Sequence, residues 1–424
     1  MASVLPREIN FADKLAALPA NTSCTSVVVA PSNGQSFASD GALIYFDLPA
    51  RGFLVPSSIY LRYKCAVAAS TTAPQMKGTP FATPFSRSEV LIGSQIVESI
   101  QQYGQLYNIM VNTKLNHAQK AGMAYGLGLL DTSTTITYDN LNGRKLSATT
   151  GETWFMGAPL GNILSNCDHL LPLGMMPSVR IQLTTDALSN MFTTTSQTSL
   201  TLSNLELCFD IIDFGSDVEN VVRSMADENG NIYVKSQSFV SATQTIASGT
   251  GGTIELVYNQ RLSSIKTILA NFGGSSTNTI YDSKDVTKSG GDYQFIIAGS
   301  PYPQRPISTV NNKAGAFMEL ANAWGPSHDM FSNNFAITPV EFLYYSGSST
   351  SSGSPGKFYV ACNVEKLSTN NALLTGISSQ LSPISLRINF GSQTTSEVHT
   401  ATLICCYDAI FEININTRQA SVKQ

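Results

Sequence analysis

Four histidines, His117, His169, His328 and His399, are the scarcest source of acid–base or metal chemistry in this 424-residue chain. No two of them stand at HxxxH or HExxH spacing. The densest polar cluster is Cys167-Asp168-His169. Zinc there needs further ligands at workable spacing, and a nucleophilic thiol needs an orienting partner. A capped turn or a buried thiol is the simpler account. His328-Asp329 follows Gly325-Pro326 and reads as a surface turn. Glu206 and Asp210 are an even number of positions apart, so one strand face carries both, as an acid/base pair of a β-sandwich hydrolase requires. Such pairs recur on ordinary strands. Asp282, Asp285 and Asp292 lack the alternating ligands, central Gly and terminal Glu of an EF-hand loop. Gly249-Thr250-Gly251-Gly252 lacks the GK[ST] ending of a phosphate-binding loop, and no GxSxG elbow or GxGxxG fingerprint occurs. Cys24, Cys65, Cys167, Cys208, Cys362, Cys405 and Cys406 are scattered without a CxxC pair. Adjacent Cys405 and Cys406 point to opposite faces of a strand. Trp154 and Trp324 read as core or interface anchors rather than carbohydrate platforms. The sequence therefore assigns no catalytic, cofactor-binding or metal-binding residue, and no cofactor.

Composition points the same way. Hydrophobic residues make up 42% of the chain, enough for a core in each of two domains. Charged residues are only 13%, about half the usual share. Ser, Thr, Asn and Gly take their place, which suits strands, turns and large protein contacts whose centres are depleted of charge. With 25 Lys and Arg against 29 Asp and Glu, the net charge of −4 argues against a basic nucleic-acid-binding surface. No run approaches about 18 apolar residues, so no transmembrane helix is expected. The N-terminal MASVLPREINFADK does not have the form of a secretory signal.

The elements that would position any site are mostly strands. Leu61, Tyr63, Cys65 and Val67 alternate with Arg62, Lys64 and Ala66; Val179, Ile181 and Leu183 alternate with Arg180, Gln182 and Thr184; Ile384, Leu386, Ile388 and Phe390 alternate with Ser385, Arg387 and Asn389. This period of two marks half-buried strands, and Gly, Ser, Asn and Pro clusters such as 346–356 mark loops. Three stretches, 100–112, 216–227 and 313–324, carry helical spacing. The second has Ser216 and Glu219 at capping-box separation and Gly230 just beyond its end.

The halves match each other. Leu61–Val67 has a counterpart at 265–270, Ile92-Gly93-Ser94-Gln95 at Ala298-Gly299-Ser300-Pro301, 179–183 at 386–390, and Cys208-Phe209-Asp210-Ile211-Ile212 at Cys406-Tyr407-Asp408-Ala409-Ile410. The four anchors keep their order at offsets of 204 (61 to 265), 206 (92 to 298), 207 (179 to 386) and 198 (208 to 406). A period of about 200 residues is a domain duplication, not a solenoid. An eight-stranded jelly roll with one inserted helix fits each copy. The expected fold is all-β, two tandem eight-stranded jelly rolls with short inserted helices. Its divisions are an arm 1–23, a first jelly roll 24–213, a helical linker 214–234, a second jelly roll 235–417 and a tail 418–424. Arg180 and Arg387 fall on matching strands, as solvated faces or as contacts between lobes or subunits.

The segments FLVPSSIYLRYK (53–64), SRSEVLIGSQIVESIQQYGQLYNIMVN (86–112) and YPQRPISTVNNKAGAFMELANAW (302–324), with the tail from Tyr407, resemble the double jelly-roll major capsid proteins of polinton-like viruses, virophages and adintovirus-like elements. The likeness spans nearly the whole chain, which is shorter than the virophage proteins and so favours compact loops. The resemblance implies a structural subunit of a DNA virus, not an enzyme. Three chains would supply six lobes to a pseudo-hexagonal homotrimeric capsomer that tiles an icosahedral shell in the virion, assembled inside the host cell. Its partners would be itself, neighbouring capsomers, penton and minor capsid proteins and an inner membrane, with no sequence-specific nucleic-acid binding. Residues 1–20, with Phe11, Leu15 and Leu18 at helical spacing, would serve as an arm on neighbours or membrane. The alternative class is a two-domain β-sandwich glycan-binding protein, a lectin or adhesin, consistent with the Ser, Thr and Asn richness.

Overall fold

The computed structural model describes residues 22–68, 76–129, 153–192, 199–274, 281, 283–287, 290–309, 311–324, 337, 342, 356–366, 374–395 and 398–424. Nearly all of the expected N-terminal arm, most of the 346–356 loop, Asp282, His328, Asp329 and the side chain of Trp154 lie outside the described residues.

The first half runs β1 (Ser23–Val29), β2 (Ser36–Ala38), β3 (Leu43–Asp47), β4 (Phe53–Leu54), β5 (Tyr60–Val67), β6 (Phe85–Ile92), β7 (Gln95–Gln101), α1 (Tyr103–Lys114), α2 (His117–Gly122), α3 (Ala124–Leu127), β8 (Thr153–Pro159), β9 (Val179–Thr185), α4 (Leu188–Met191) and β10 (Leu200–Asp213). Helix α5 (Ser216–Ser224) leads to the second half: β11 (Asn231–Ile246), β12 (Gly251–Tyr258), β13 (Ile265–Gly274), β14 (Asp292–Ile297), β15 (Ser300–Ser308), α6 (Lys313–Ala321), β16 (Tyr359–Asn363), β17 (Ile384–Thr394), β18 (His399–Asn414) and β19 (Gln419–Lys423).

Two sheets form in each half, and the halves use the same order. The first has β1-β10-β5-β8 and β3-β9-β6-β7; the second has β11-β18-β13-β16 and β12-β17-β14-β15. Counting the eight main strands of each half from its start, both read 1-8-3-6 and 2-7-4-5, the strand order of a jelly roll. Short β2 and β4 pair with β10, and β19 pairs with β18.

The alternation explains the packing. Leu61, Tyr63, Cys65 and Val67 on β5 are buried, as are Val179, Ile181 and Leu183 on β9, and they join one apolar cluster. Each such side chain removed from water contributes about 1.5–3 kcal/mol. Tyr63 fits because its hydroxyl donates to the Phe81 carbonyl at 2.5 Å and its ring meets Phe85 edge-on.

All four anchors fall on equivalent strands or turns, but three are slipped in register. Pairing makes Tyr60 equivalent to Thr267 and Val179 to Ile384, offsets of 207 (60 to 267) and 205 (179 to 384), and the hairpin turn is slipped as well. In the β6–β7 hairpin Ile92 pairs with Gln95, and in β14–β15 Ile297 pairs with Ser300. The turn Gly93-Ser94 therefore corresponds to Ala298-Gly299, one residue from the match on the Gly-Ser dipeptide. Both Ala298 (φ 50°) and Gly299 (φ 79°) are left-handed, as a tight hairpin turn requires.

The helices differ from expectation at their starts. β7 runs on to Gln101, so α1 begins at Tyr103 rather than at 100. The linker helix takes Gly215 as its N-cap, so Ser216, expected as the cap, is instead its first helical residue. That helix ends at Ser224, not 227, and β11 begins at Asn231, inside the stretch expected as linker. The 418–424 tail is largely the strand β19, whose register runs from Ile410↔Lys423 to Asn414↔Gln419.

The Asp of the fourth anchor shows how copies diverge. In the first roll Asp210 accepts from Ser26 Oγ at 2.5 Å, and its backbone N–H donates to Ser58 Oγ. In the second, Asp408 is fully buried; it accepts from Ser264 Oγ (2.8 Å) and the Thr375 N–H (3.1 Å) and lies 3.7 Å from Lys266. Removing one partner of a buried charged network costs about 3–5 kcal/mol. Asp408→Ala should lower stability by that order in chemical denaturation, and Asp210→Ala by several-fold less.

Candidate functional site

The residues with chemical potential are placed apart and are occupied structurally. Cys167 is mostly buried; its Sγ lies 3.3 Å from the Ile163 carbonyl, and burial pushes the thiol up to about 12, which disarms it as a nucleophile. His169 and Asp168 form a solvent-facing pair at 2.8 Å. Glu206 is held by Arg62 at 2.5 Å and Asp210 by Ser26, so the two carboxylates serve sheet contacts. Asp285 accepts from Thr287, and Asp292 lies 3.4 Å from Asn389 Nδ2. Gly249 at positive φ sits in the turn from β11 to β12, and Gly252, also at positive φ, sits within β12 at an irregularity in its pairing with β17. Arg180 pairs with Asp47 at 2.6 Å and stacks over Tyr45, while Arg387 lies on β17 between Glu255 and Gln294 in register. Among the described residues no group of three or more His, Cys, Asp or Glu could hold a metal ion. A cavity of about 20 Å³ lined by Asn108, Asn112, Lys120, Tyr281, Lys357 and Tyr359 has room for about one water.

What the chain builds instead is a seam between its rolls. β7 and α1 of the first roll lie against β11, β16 and the turn of helix after α6 in the second. Ser238 Oγ donates to Glu98 at 2.5 Å, Ser236 Oγ to the Ile163 carbonyl at 2.5 Å, and Ser241 Oγ to the Gln101 carbonyl at 2.5 Å. The Asp168 N–H donates to the Lys235 carbonyl and Asn166 Nδ2 to that of Gln237. The Cys167-Asp168-His169 cluster is thus part of a loop stitched to β11. Farther along, Trp324 Nε1 donates to Thr113 Oγ1 at 2.8 Å, and the ammonium of Lys114 sits 4.3 Å over the Trp324 ring and 5.6 Å from Phe239. Burial pushes Lys114 below its ordinary value, and the ring faces compensate the lost water. Gln424 Nε2 closes the seam on the Val97 carbonyl at 2.7 Å. Trp324 is thereby an interface anchor, as its type suggested.

Glu98 is the seam's most unusual member, and sequence reasoning missed it. It shares the buried side of β7 with Ile100, where alternation calls for an apolar residue; a carboxyl at a core-parity position was the available signal. Ser236 and Ser238 stand at the matching parity of β11. Its carboxyl takes the Ser238 hydroxyl and the Ile163 N–H. Tyr103, Cys167 and Tyr407 are the titratable groups near it, and no cation is among them. Burial lifts it from 4.5 to about 7, against the opposing pull of its two hydrogen bonds.

With this geometry in hand, comparison with known proteins is informative at the level of shape. No family model and no curated protein matches the sequence. Solved structures do. The Faustovirus major capsid protein is similar with a TM-score of 0.63 at 8% identity, covering 94% of this chain and 91% of that one. The PBCV-1 virus capsid gives 0.62 at 9% identity, covering 98% and 99%. The mavirus major capsid protein gives 0.53 at 8%, covering 100% and 96%. This chain is a double jelly roll. The double jelly roll accounts for the duplicated strand order and for coverage that is nearly complete in both directions.

The seam carries a pH prediction. Glu98 binds its proton more tightly folded than unfolded, so its contribution is whole below about pH 4.5 and is lost as pH rises through 7. The loss is on the order of 3 kcal/mol. The melting temperature of the wild type should fall between about pH 5 and pH 8, and Glu98→Gln should flatten that fall. An unchanged slope in the variant would rule out Glu98 as its source.

Proposed function

We propose that this chain is the major capsid protein of an icosahedral DNA virus. The observation that carries the reading is the double jelly roll spanning almost the full length of this chain and of capsid proteins from PBCV-1, Faustovirus and mavirus alike. A subunit of two similar lobes supplies six lobes from three copies, so a homotrimer approximates a hexagon, the unit that tiles a closed shell. The chain's role in this reading is structural rather than enzymatic, and its place is the virion. Among the described residues, Cys167, Glu206 and Asp210 are engaged in sheet and seam contacts, which fits that role.

On this reading the rolls 24–213 and 235–417 are the lobes, 214–234 joins them, and 1–23 and 418–424 are the segments that reach neighbours. The partners are other copies, neighbouring capsomers, penton and minor capsid proteins, and an inner membrane. The full-length match to capsid subunits favours this over a glycan-binding role.

Light scattering of the purified chain should give the mass of a trimer or larger, and negative-stain images should show hexagonal particles of that size or closed shells. A monomer at micromolar concentration under every salt and pH tested would overturn the reading.

A further inference from the structure

The second roll buries three ionisable side chains against one another. Lys266 lies where the pairing of β13 with β18 is irregular: Ile265 pairs with Tyr407 and Thr267 with Cys406, which leaves Lys266 as the extra residue of a bulge. Its Nζ is 2.8 Å from Glu365 Oε1 and 3.7 Å from Asp408 Oδ1, and the three side chains are 13%, 9% and 0% exposed.

Each carboxyl is held in place by further donors. Asp408 Oδ2 accepts from Ser264 Oγ at 2.8 Å and from the Thr375 N–H at 3.1 Å. Ser264 Oγ is itself fixed by the Gly376 N–H at 2.8 Å. Asp408 Oδ1, on the lysine side, is buried and accepts no hydrogen bond among the described residues. Glu365 Oε1 takes the Thr375 hydroxyl at 2.6 Å as well as the ammonium. Burial pulls Lys266 down, but the hydrogen bond to Glu365 and the charge of Asp408 outweigh it and raise it above its ordinary value, so it rests as an ammonium.

Two donors on one carboxyl oxygen, with the other oxygen bare and facing an amine, polarise the carboxyl for attack. A second carboxylate in contact with the amine stands where a proton carrier is needed. We infer that Lys266 and Asp408 condense in the folded chain to an amide between Nζ and Cγ, with Glu365 carrying the protons. Glu365 takes one proton from the ammonium, and the freed lone pair attacks Cγ of Asp408 to form the C–N bond. Negative charge developing on Oδ2 is met by the Ser264 hydroxyl and the Thr375 N–H. Glu365 passes its proton to Oδ1, takes a second proton from the nitrogen and passes that on as well. The Cγ–Oδ1 bond breaks, and Oδ1 leaves as water. An ammonium and a carboxylate have become an amide and one water; nothing is oxidised or reduced, and Glu365 ends as it began.

In bulk water the two ions are favoured over the amide. In this site burial penalises each charge, and a neutral amide removes that penalty. The sheet also holds the two groups together, so their encounter costs no further entropy. The first roll lacks the set. Tyr60 pairs with Cys208 as Thr267 pairs with Cys406, so Ile59 stands where Lys266 does, and Asp210 has no amine in the equivalent place. The bond therefore ties β13 to β18 in the second roll alone. It does not depend on the capsid reading.

Intact-mass spectrometry of the purified full chain tests the bond. The wild type should be one water lighter than its sequence. Trypsin should release a branched peptide joining 262–284 to 388–418, because a linked Lys266 is not cleaved; the branch separates the bond from dehydration at a single residue. Lys266→Arg keeps the charge but cannot form the bond, and Glu365→Gln keeps the shape without the proton carrier. Both should fold by circular dichroism, show their full sequence mass and melt below the wild type. A wild type of full mass that yields 262–266 as a linear peptide would overturn the inference. A branch from Lys266 to 358–366 would overturn Asp408 as the acceptor, and E365Q bonded as completely as wild type would overturn the part given to Glu365.

Discussion

A β-sheet has two faces, and the second roll of this chain must cover both. Its sheet β11-β18-β13-β16 meets its own companion sheet on one side and receives α1 of the first roll, with the turn at Trp324, on the other. β18 is consequently buried without interruption from 401 to 411, with Asp408 among the buried residues. The orientation of the rolls and the burial of Lys114 over two aromatic rings both follow from that one requirement. The first roll's β10 is free of it and alternates along much of its length.

This difference was written in the sequence but is legible only in retrospect. ATLICCYDAIF at 401–411 is apolar except at Thr402 and Asp408, close to the pattern of a strand buried on both faces, whereas LTLSNLEL at 200–207 alternates over much of its length. Period-two patterns were enough to find the strands, and the ordered anchors were enough to find two copies, because both rest on which residues face a core. The offsets vary from 198 to 207 because loops and strands both differ in length between the copies, β1 having 7 residues and its counterpart β11 16. Helix starts were less legible: whether 100–102 ends a strand or begins a helix depends on the pairing of Arg87 with Gln101, a partner distant in sequence.

The seam was the least legible part. Ser238 and Glu98 are 140 residues apart, and nothing in the local pattern of either specifies the other. Single hydroxyls and one carboxyl at core-parity positions are weak marks that gain meaning only when the rolls meet. The low charge content is informative in the same way. A chain with few ionic groups must join its halves through hydroxyls, amides, carbonyls and aromatic rings, and those are the groups found. The Cys167-Asp168-His169 cluster, whose simpler account was a capped turn or a buried thiol, also marks where a loop is tied to the second roll.

The cysteines follow from the same burial. Cys65, Cys208, Cys362, Cys405 and Cys406 are buried and Cys167 nearly so, and desolvation pushes the thiols at Cys167 and Cys362 up to about 12 and that at Cys406 up to about 11. The thiols at Cys167, Cys362 and Cys406 stay protonated, and burial shelters the buried cysteines from oxidants. Cys24, exposed on β1, is the exception among the seven. The protein thus carries one fully exposed thiol, a built-in labelling point on β1.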